Sequence, residues 1–357
     1  MSEPLNAEEA FVGTVEPEGA DRLDEARLAE WMSANVAGFA GPLHLTKFKG
    51  GQSNPTYKIE ASSGNYVLRR KPFGQLLPSA HAVDREFRVQ SGLQGSGFPV
   101  ARQYGLCTDE SVVGSWFYVM GMVDGRTIWD GSMPNDAPEY RRETYMAMID
   151  TLAQLHSVNV DAAGLSEFGK PGNYFGRQVD RWTKQYRLSE TELMPDMEQL
   201  IEWLPATLPE QTRTSVVHGD YRIDNMIWAK DKPEVLAVLD WELSTLGDPL
   251  GDFSYVAMAW VTDNAGRSGV QDLDRKALGI PELEEVVERY CAKTGRTSVP
   301  NMNWYFAYNF FRLAGILQGI KKRVIDGTAS SSHAREMSDR VQPLVTRAAE
   351  FAKLAGM

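Results

Sequence analysis

Asp220 and Asn225 of the stretch His218-Gly219-Asp220-Tyr221-Arg222-Ile223-Asp224-Asn225, with Asp240 ending the run Val235-Leu236-Ala237-Val238-Leu239, carry the densest chemical potential in the chain. The apolar runs Val216-Val217 and Met226-Ile227-Trp228 flank the polar loop, so the pattern predicts strand, loop, strand, turn, strand. That frame aims the three polar groups at one point. A carboxylate that accepts or orients a hydroxyl proton, beside an amide oxygen and a second carboxylate able to hold Mg²⁺, suits phosphoryl transfer from ATP to an alcohol. The plainer reading makes His218, Asp220 and Asp240 turn and cap residues of an unrelated fold, but several motif elements in the right order argue against it.

Protein kinases place a catalytic Asp and a metal-binding Asn in H-R-D-x-x-x-x-N, with a metal-binding Asp one hairpin later. Asp220 and Asn225 keep that interval, whereas Gly219 replaces the loop arginine and Asp240-Trp241-Glu242 replaces Asp-Phe-Gly. No Ala-Pro-Glu element follows, since Trp241 runs almost directly into Gly247-Asp248-Pro249 and Asp252. Taken together these motifs resemble the aminoglycoside phosphotransferase and choline kinase-like family, over roughly residues 43 to 325. Gly51-Gln52-Ser53-Asn54, Leu77-Pro78-Ser79-Ala80-His81 and Asp84-Arg85-Glu86 are similar to the branch of kinase-like domains joined to acyl-CoA dehydrogenases. The resemblance implies an α+β, bilobal, protein-kinase-like fold, with a small antiparallel β-rich N-lobe and a larger helical C-lobe. It also implies ATP and Mg²⁺ as cofactors, Asp220 as the catalytic residue, Asn225 and Asp240 as metal ligands, and His218 and Asp252 as supports of the catalytic loop. Asp224 and Glu242 stand close enough to assist.

The nucleotide side must come from the N-terminal half. Leu43 to Phe48, Thr56 to Glu60 and Tyr66 to Arg69 read as antiparallel strands, with Ser62-Ser63-Gly64-Asn65 as a hairpin turn. Lys49-Gly50-Gly51-Gln52-Ser53-Asn54 between the first pair is a loop of small and polar residues whose backbone could approach phosphate, with Gly51, Ser53 and Asn54 as candidate contacts. An ordinary glycine hairpin is its alternative. In Tyr66-Val67-Leu68-Arg69, alternation puts Val67 toward adenine and Arg69 toward phosphate, where kinases have lysine. Lys71 shares that face by parity and competes for the role. A helix over Pro78 to Gln90 offers Glu86 as partner for Arg69, with Val83 and Phe87 buried. Pro99 to Tyr104 and Trp116 to Met122 read as further strands. The second leads through Met120-Gly121-Met122-Val123-Asp124-Gly125, a candidate interlobe linker whose Met120 and Met122 would meet the adenine edge.

Helical periodicity dominates beyond Gly125, in stripes such as Tyr145, Ile149, Leu152 and His156, the last read as a helix-end core histidine. The apolar helix from Trp304 to Ile320 contains Asn309, Arg312 and Gln318, which marks a core helix rather than a membrane span. Met337, Val341 and Leu344 mark a last helix, bent at Pro343. Residues 1–40 are expected to form a mobile acidic arm plus a helix near Asp21 to Val36, residues 41–123 the N-lobe, and residues 124–357 the C-lobe with catalytic loop and substrate site.

Hydrophobic content of 43% and charged content of 24% describe an ordinary globular chain, and Cys107 and Cys291 are too few and too distant for a disulfide framework. The start of the chain lacks the basic and apolar runs of a signal peptide, so a cytoplasmic protein is expected, with no membrane or nucleic-acid partner. The net charge of −11 is uneven: residues 1–30 carry nine acids against two bases, whereas residues 265–357 carry ten acids against fourteen bases. That basic excess, including Lys321-Lys322-Arg323, suits an anionic acceptor better than a polycation, unless it is a scatter of solvated side chains. The acceptor expected is a small hydroxylated molecule, with an anionic metabolite such as a hydroxyacyl-CoA foremost. An aminoglycoside or a choline- or homoserine-type alcohol is the alternative, and a catalytically silent nucleotide-binding module is the reading outside enzymology.

Overall fold

The protein is described by a computed structural model over residues 13–49, 54–74, 81–266, 268–328 and 334–357. The smaller lobe opens with β1 (Thr14–Val15), followed by α1 (Glu25–Asn35), β2 (Leu43–Phe48), β3 (Thr56–Ala61) and β4 (Gly64–Arg70). It continues with α2 (Val83–Gly95), β5 (Gln103–Cys107), the short α3 (Glu110–Val113) and β6 (Phe117–Gly121). The strands form one six-stranded sheet in the order β1-β2-β3-β4-β6-β5, with every pairing antiparallel.

Of the mobile arm expected up to residue 20, residues 1–12 lie outside the described residues, whereas Thr14 and Val15 form a strand of the sheet. Thr14 pairs with Phe48 at the sheet edge, and Asp21 takes the Arg70 guanidinium at 3.3 Å while its carbonyl accepts from the Tyr57 hydroxyl at 2.9 Å. Composition could not show this, because the partners that neutralise those acids lie a lobe's width away in sequence. Asp24 caps α1 by accepting from the amides of Ala26 and Arg27. Leu28 and Met32, one turn apart, are fully buried.

The strand expected over Pro99 to Tyr104 is displaced to Gln103–Cys107. The Pro99 carbonyl accepts from the Val238 amide at 2.9 Å, so this segment is tied to the helical lobe before the chain enters the sheet.

The larger lobe contains α4 (Pro138–His156), α5 (Tyr174–Ser189), α6 (Pro195–Ala206), β7 (Ser215–Val217), β8 (Met226–Trp228), β9 (Val235–Val238) and β10 (Thr245–Gly247). Beyond these come α7 (Leu250–Ala257), α8 (Arg275–Leu278), α9 (Leu283–Thr294), α10 (Met302–Ile325), α11 (Ala334–Asp339) and α12 (Val341–Leu354). The lobe's centre is α10, which buries Tyr305, Phe306, Tyr308, Phe310 and Phe311 around its circumference and packs on α5, α7 and α12. A helix apolar on nearly every side must be enclosed, and its Gln318 Nε2 donates to the Ser189 carbonyl at 2.7 Å. No helix among the described residues is long and apolar enough to cross a membrane. The break in the last helical stretch falls at Arg340, not at Pro343. Pro343 sits in the first turn of α12, where a missing N–H costs no helical hydrogen bond.

Candidate active site

Two short ribbons hold the loop. β7 pairs with β10, placing Val216 opposite Leu246, and β8 pairs with β9, placing Met226 opposite Val238. Between β7 and β8 the chain must turn sharply, and Gly219 makes this possible. Its φ is +88°, and a Cβ there would lie 2.9 Å from Leu243, so the residue that departs from the kinase pattern is the one this turn accepts.

Asp252, fully buried on α7, accepts the amides of His218 at 2.6 Å and Gly219 at 2.8 Å. Burial would raise its carboxyl, but hydrogen bonding and charge from His156, with His218 and the Gly219 amide, hold it below the ordinary range. His156 is a core histidine, as its place at a helix end suggests, yet it faces this loop: its Nδ1 meets the Tyr290 hydroxyl at 2.7 Å and its Nε2 lies 3.4 Å from Asp252. His218 accepts the Asp220 amide at Nδ1 (3.1 Å), so its Nε2 carries the proton donated to the Leu239 carbonyl at 2.7 Å. The imidazole thereby ties the loop to the backbone just before Asp240.

The Asn225 Nδ2 donates to the Asp220 carbonyl at 2.8 Å and to its carboxylate at 3.0 Å. That leaves the Asn225 Oδ1 without a protein donor among the described residues. Asp240 stands in a left-handed backbone conformation (φ 63°, ψ 59°) with its side chain about one-third exposed. No cluster of three or more His, Cys, Asp or Glu able to hold a metal occurs among the described residues. An amide oxygen plus one carboxylate fits Mg²⁺ nonetheless, because that ion keeps most of its coordination for water and substrate phosphates. Arg222 bridges Asp220 and Asp224 at 3.2 Å each. Burial pushes the Asp224 carboxyl up against the pull of Arg222.

Across the cleft, Arg69 reaches Glu86 at 2.8 Å, Asp240 at 2.8 Å and Glu242 at 3.4 Å. Glu86, 1% exposed, also accepts from Asn54 at 2.7 Å and the Tyr118 hydroxyl at 3.0 Å, and burial pushes its carboxyl up. Lys71 instead lies over the Trp116 ring at 3.9 Å and 3.6 Å from Asp84. Val67 pairs with Met120 across β4 and β6, and both are buried, whereas Met122 is exposed. The Asn54 amide is fully buried and spent on Glu86 and His81, so it braces Glu86 rather than facing the cleft. Gly51 and Ser53 lie outside the described residues.

Sequence reasoning missed a cavity of about 270 Å³ beside the loop, lined by Tyr145, Met148, Tyr255, Leu313 and Leu317 with Arg222 and Asp224 at its polar side. Its walls come from separate helices, and no linear spacing announces it. Arg340 also lines it and makes no ion pair among the described residues. By contrast, Lys321 is paired with Glu192, and Lys322 with Asp326 at 2.5 Å, so most of the Lys321-Lys322-Arg323 charge is already neutralised.

A family model described as the phosphotransferase enzyme family matches residues 44–290. The chain belongs to that family. It is 46% identical to mouse acyl-CoA dehydrogenase family member 10 over 88% of this chain and 30% of that protein. It is 40% identical to chicken acyl-CoA dehydrogenase family member 11 over 96% of this chain and 45% of that protein. The chain thus spans less than half the length of these relatives. Among solved structures, a candidate aminoglycoside phosphotransferase of Ralstonia eutropha JMP134 superposes with a TM-score of 0.88 at 48% identity, covering 94% of this chain and all of that one. A thermostable aminoglycoside phosphotransferase APH(4)-Ia variant in complex with ADP and hygromycin B gives 0.56 at 13% identity, over 92% of this chain and 98% of that one, and so shares the fold. Family membership and these neighbours bear out the kinase-like α+β fold expected from the catalytic motif.

Proposed function

We propose that the protein is an ATP- and Mg²⁺-dependent kinase of a small-molecule hydroxyl, with an anionic acyl metabolite such as a hydroxyacyl-CoA as acceptor. The observation that carries this reading is the position of Asp220, held by Asn225 on one side and by Arg222, which lines the largely apolar cavity, on the other. Asp220 accepts or orients the acceptor's hydroxyl proton, and the cavity takes the acceptor's aliphatic part. Arg69 binds the α and β phosphates, Glu86 holds Arg69 in place, and Val67, Met120 and Met122 contact the adenine. Mg²⁺, held by Asn225 and Asp240, supplies charge stabilisation at the phosphates.

The acyl part of the proposal draws support from the apolar cavity wall and from relatives named as acyl-CoA dehydrogenase family members. For the anionic part, Arg340 replaces the paired Lys321 and Lys322 as the cation beside the cavity. A polycationic aminoglycoside would meet Arg340 with like charge. The test is ADP formation over a panel of hydroxyacyl-CoAs, choline, homoserine, sugars and aminoglycosides. Turnover of a hydroxyacyl-CoA with kanamycin inert is the expected result. Kanamycin turned over with every CoA ester inert would sink the acceptor class, and ADP formation that no alcohol stimulates would favour a silent module.

A further inference from the structure

Arg312 lies on α10 with 6% of its surface exposed. Its Nη2 donates to the Gly219 carbonyl at 2.5 Å, and its guanidinium lies against the rings of Tyr255 at 5.1 Å and Trp182 at 5.7 Å. Among the described residues it makes no ion pair with a carboxylate, and its Nε–H is buried without a hydrogen-bond partner. Burial opposes the charge, but the surrounding tyrosines and the Asp220 carboxylate hold it on the guanidinium. The contacts of this arginine therefore tie it to the catalytic loop.

Gly219 is held from both sides, its amide by Asp252 at 2.8 Å and its carbonyl by Arg312, and the next residue is Asp220. The peptide that Arg312 grips is the one leading into Asp220. The Tyr255 hydroxyl, beneath the same guanidinium, is pushed up by burial and then by the Asp220 charge, so it stays protonated and faces that carboxylate as a donor. We propose that Arg312 is a positioning residue for Asp220: it fixes the Gly219–Asp220 peptide and backs the Tyr255 ring, so that the carboxylate points at the acceptor hydroxyl. The inference rests on the reading of Asp220 as the group facing that hydroxyl, and it gives Arg312 no contact with substrate.

The test uses the full chain, with ADP release from Mg-ATP and water as acceptor for the probe reaction. Arg312→Met, assayed well below its Tm, should hold the KM for Mg-ATP within about twofold and lower kcat about 10²-fold. Arg312→Lys should regain part of that loss, since an ammonium can reach the carbonyl but lacks the planar fork. Tyr255→Phe should lower kcat about tenfold with the same unchanged KM. A kcat for Arg312→Met within about threefold of wild type overturns the proposal. So does a loss that disappears when the assay is run well below a lowered Tm, which is the mark of a merely structural arginine. If Arg312→Met does not fold, wild-type kcat in both Arg312→Lys and Tyr255→Phe overturns it. Asp220→Asn is the reference: wild-type turnover in that variant overturns both the inference and the reading beneath it, whereas loss there with full activity in the Arg312 variants overturns the inference alone.

Discussion

Arg69 and Asp240 lie 171 residues apart in sequence and 2.8 Å apart in space. The same guanidinium holds Glu86 of α2 at 2.8 Å, so one side chain joins the sheet, its neighbouring helix and the acid after β9. A lysine ammonium, as a point charge, could not span these carboxylates with a planar fork. The arginine neutralises the carboxylate proposed for the metal, and phosphate oxygens would compete with Asp240 for its Nη2.

Arg69→Ala should raise the KM for ATP by about tenfold or more, because the loss is of a charge-assisted contact to phosphate. Lys71→Ala should change it less than about twofold, since its ammonium is engaged by Trp116 and Asp84. Initial-rate kinetics with varied ATP checks both, and the reverse pattern would move the phosphate role to Lys71.

Asp220→Asn should lower kcat on the order of 10²-fold or more while Mg-ATP affinity holds. Asp240→Ala should instead weaken Mg²⁺-dependent nucleotide binding. Isothermal titration of Mg-ATP into both variants separates the roles, and unchanged affinity in Asp240→Ala would remove that residue from the metal site.

Asp252 makes acid stability a readout of the catalytic loop. Its folded-state carboxyl lies below the ordinary 3.8, so its contribution is complete above that value and is lost as pH falls through the folded value. Asp252→Asn presents an N–H₂ to the His218 and Gly219 amides and should cost roughly 3 kcal/mol at pH 7. Below pH about 4 its stability should fall less steeply than wild type. Thermal melts across pH 2 to 7 test this, and parallel curves would mean that the carboxylate charge does not support the loop.

Filling the cavity should separate acceptor from nucleotide. Leu313→Trp, on the cavity wall, should raise the acceptor KM about tenfold or more and leave the KM for ATP alone. Arg340→Ala should raise the KM of an anionic acceptor and reduce its salt dependence. Neutralising Lys321, Lys322 and Arg323 together should do little, because Glu192 and Asp326 already take most of that charge. Acceptor kinetics at low and high salt distinguishes these, and a large effect from the triple variant would return the anion site to that cluster.

The sequence by itself determined the family and the kinase-like fold, because Asp220, Asn225 and Asp240 keep a local spacing imposed by a short loop and hairpin, and such spacing survives in one dimension. The pairing of Arg69 with Glu86 was legible for a similar reason: strand parity and helix position each fix a direction. Contacts across long separations were decided only by tertiary structure. Asn54 read as a phosphate-loop residue until packing spent its amide on Glu86, and Lys321 and Lys322 read as a free basic cluster until Glu192 and Asp326 were brought beside them. The cavity and Arg312 were invisible because a core helix hides its functional members among buried aromatics. An arginine at an enclosed position shows its purpose only when its partner, here the carbonyl of Gly219, has been folded against it.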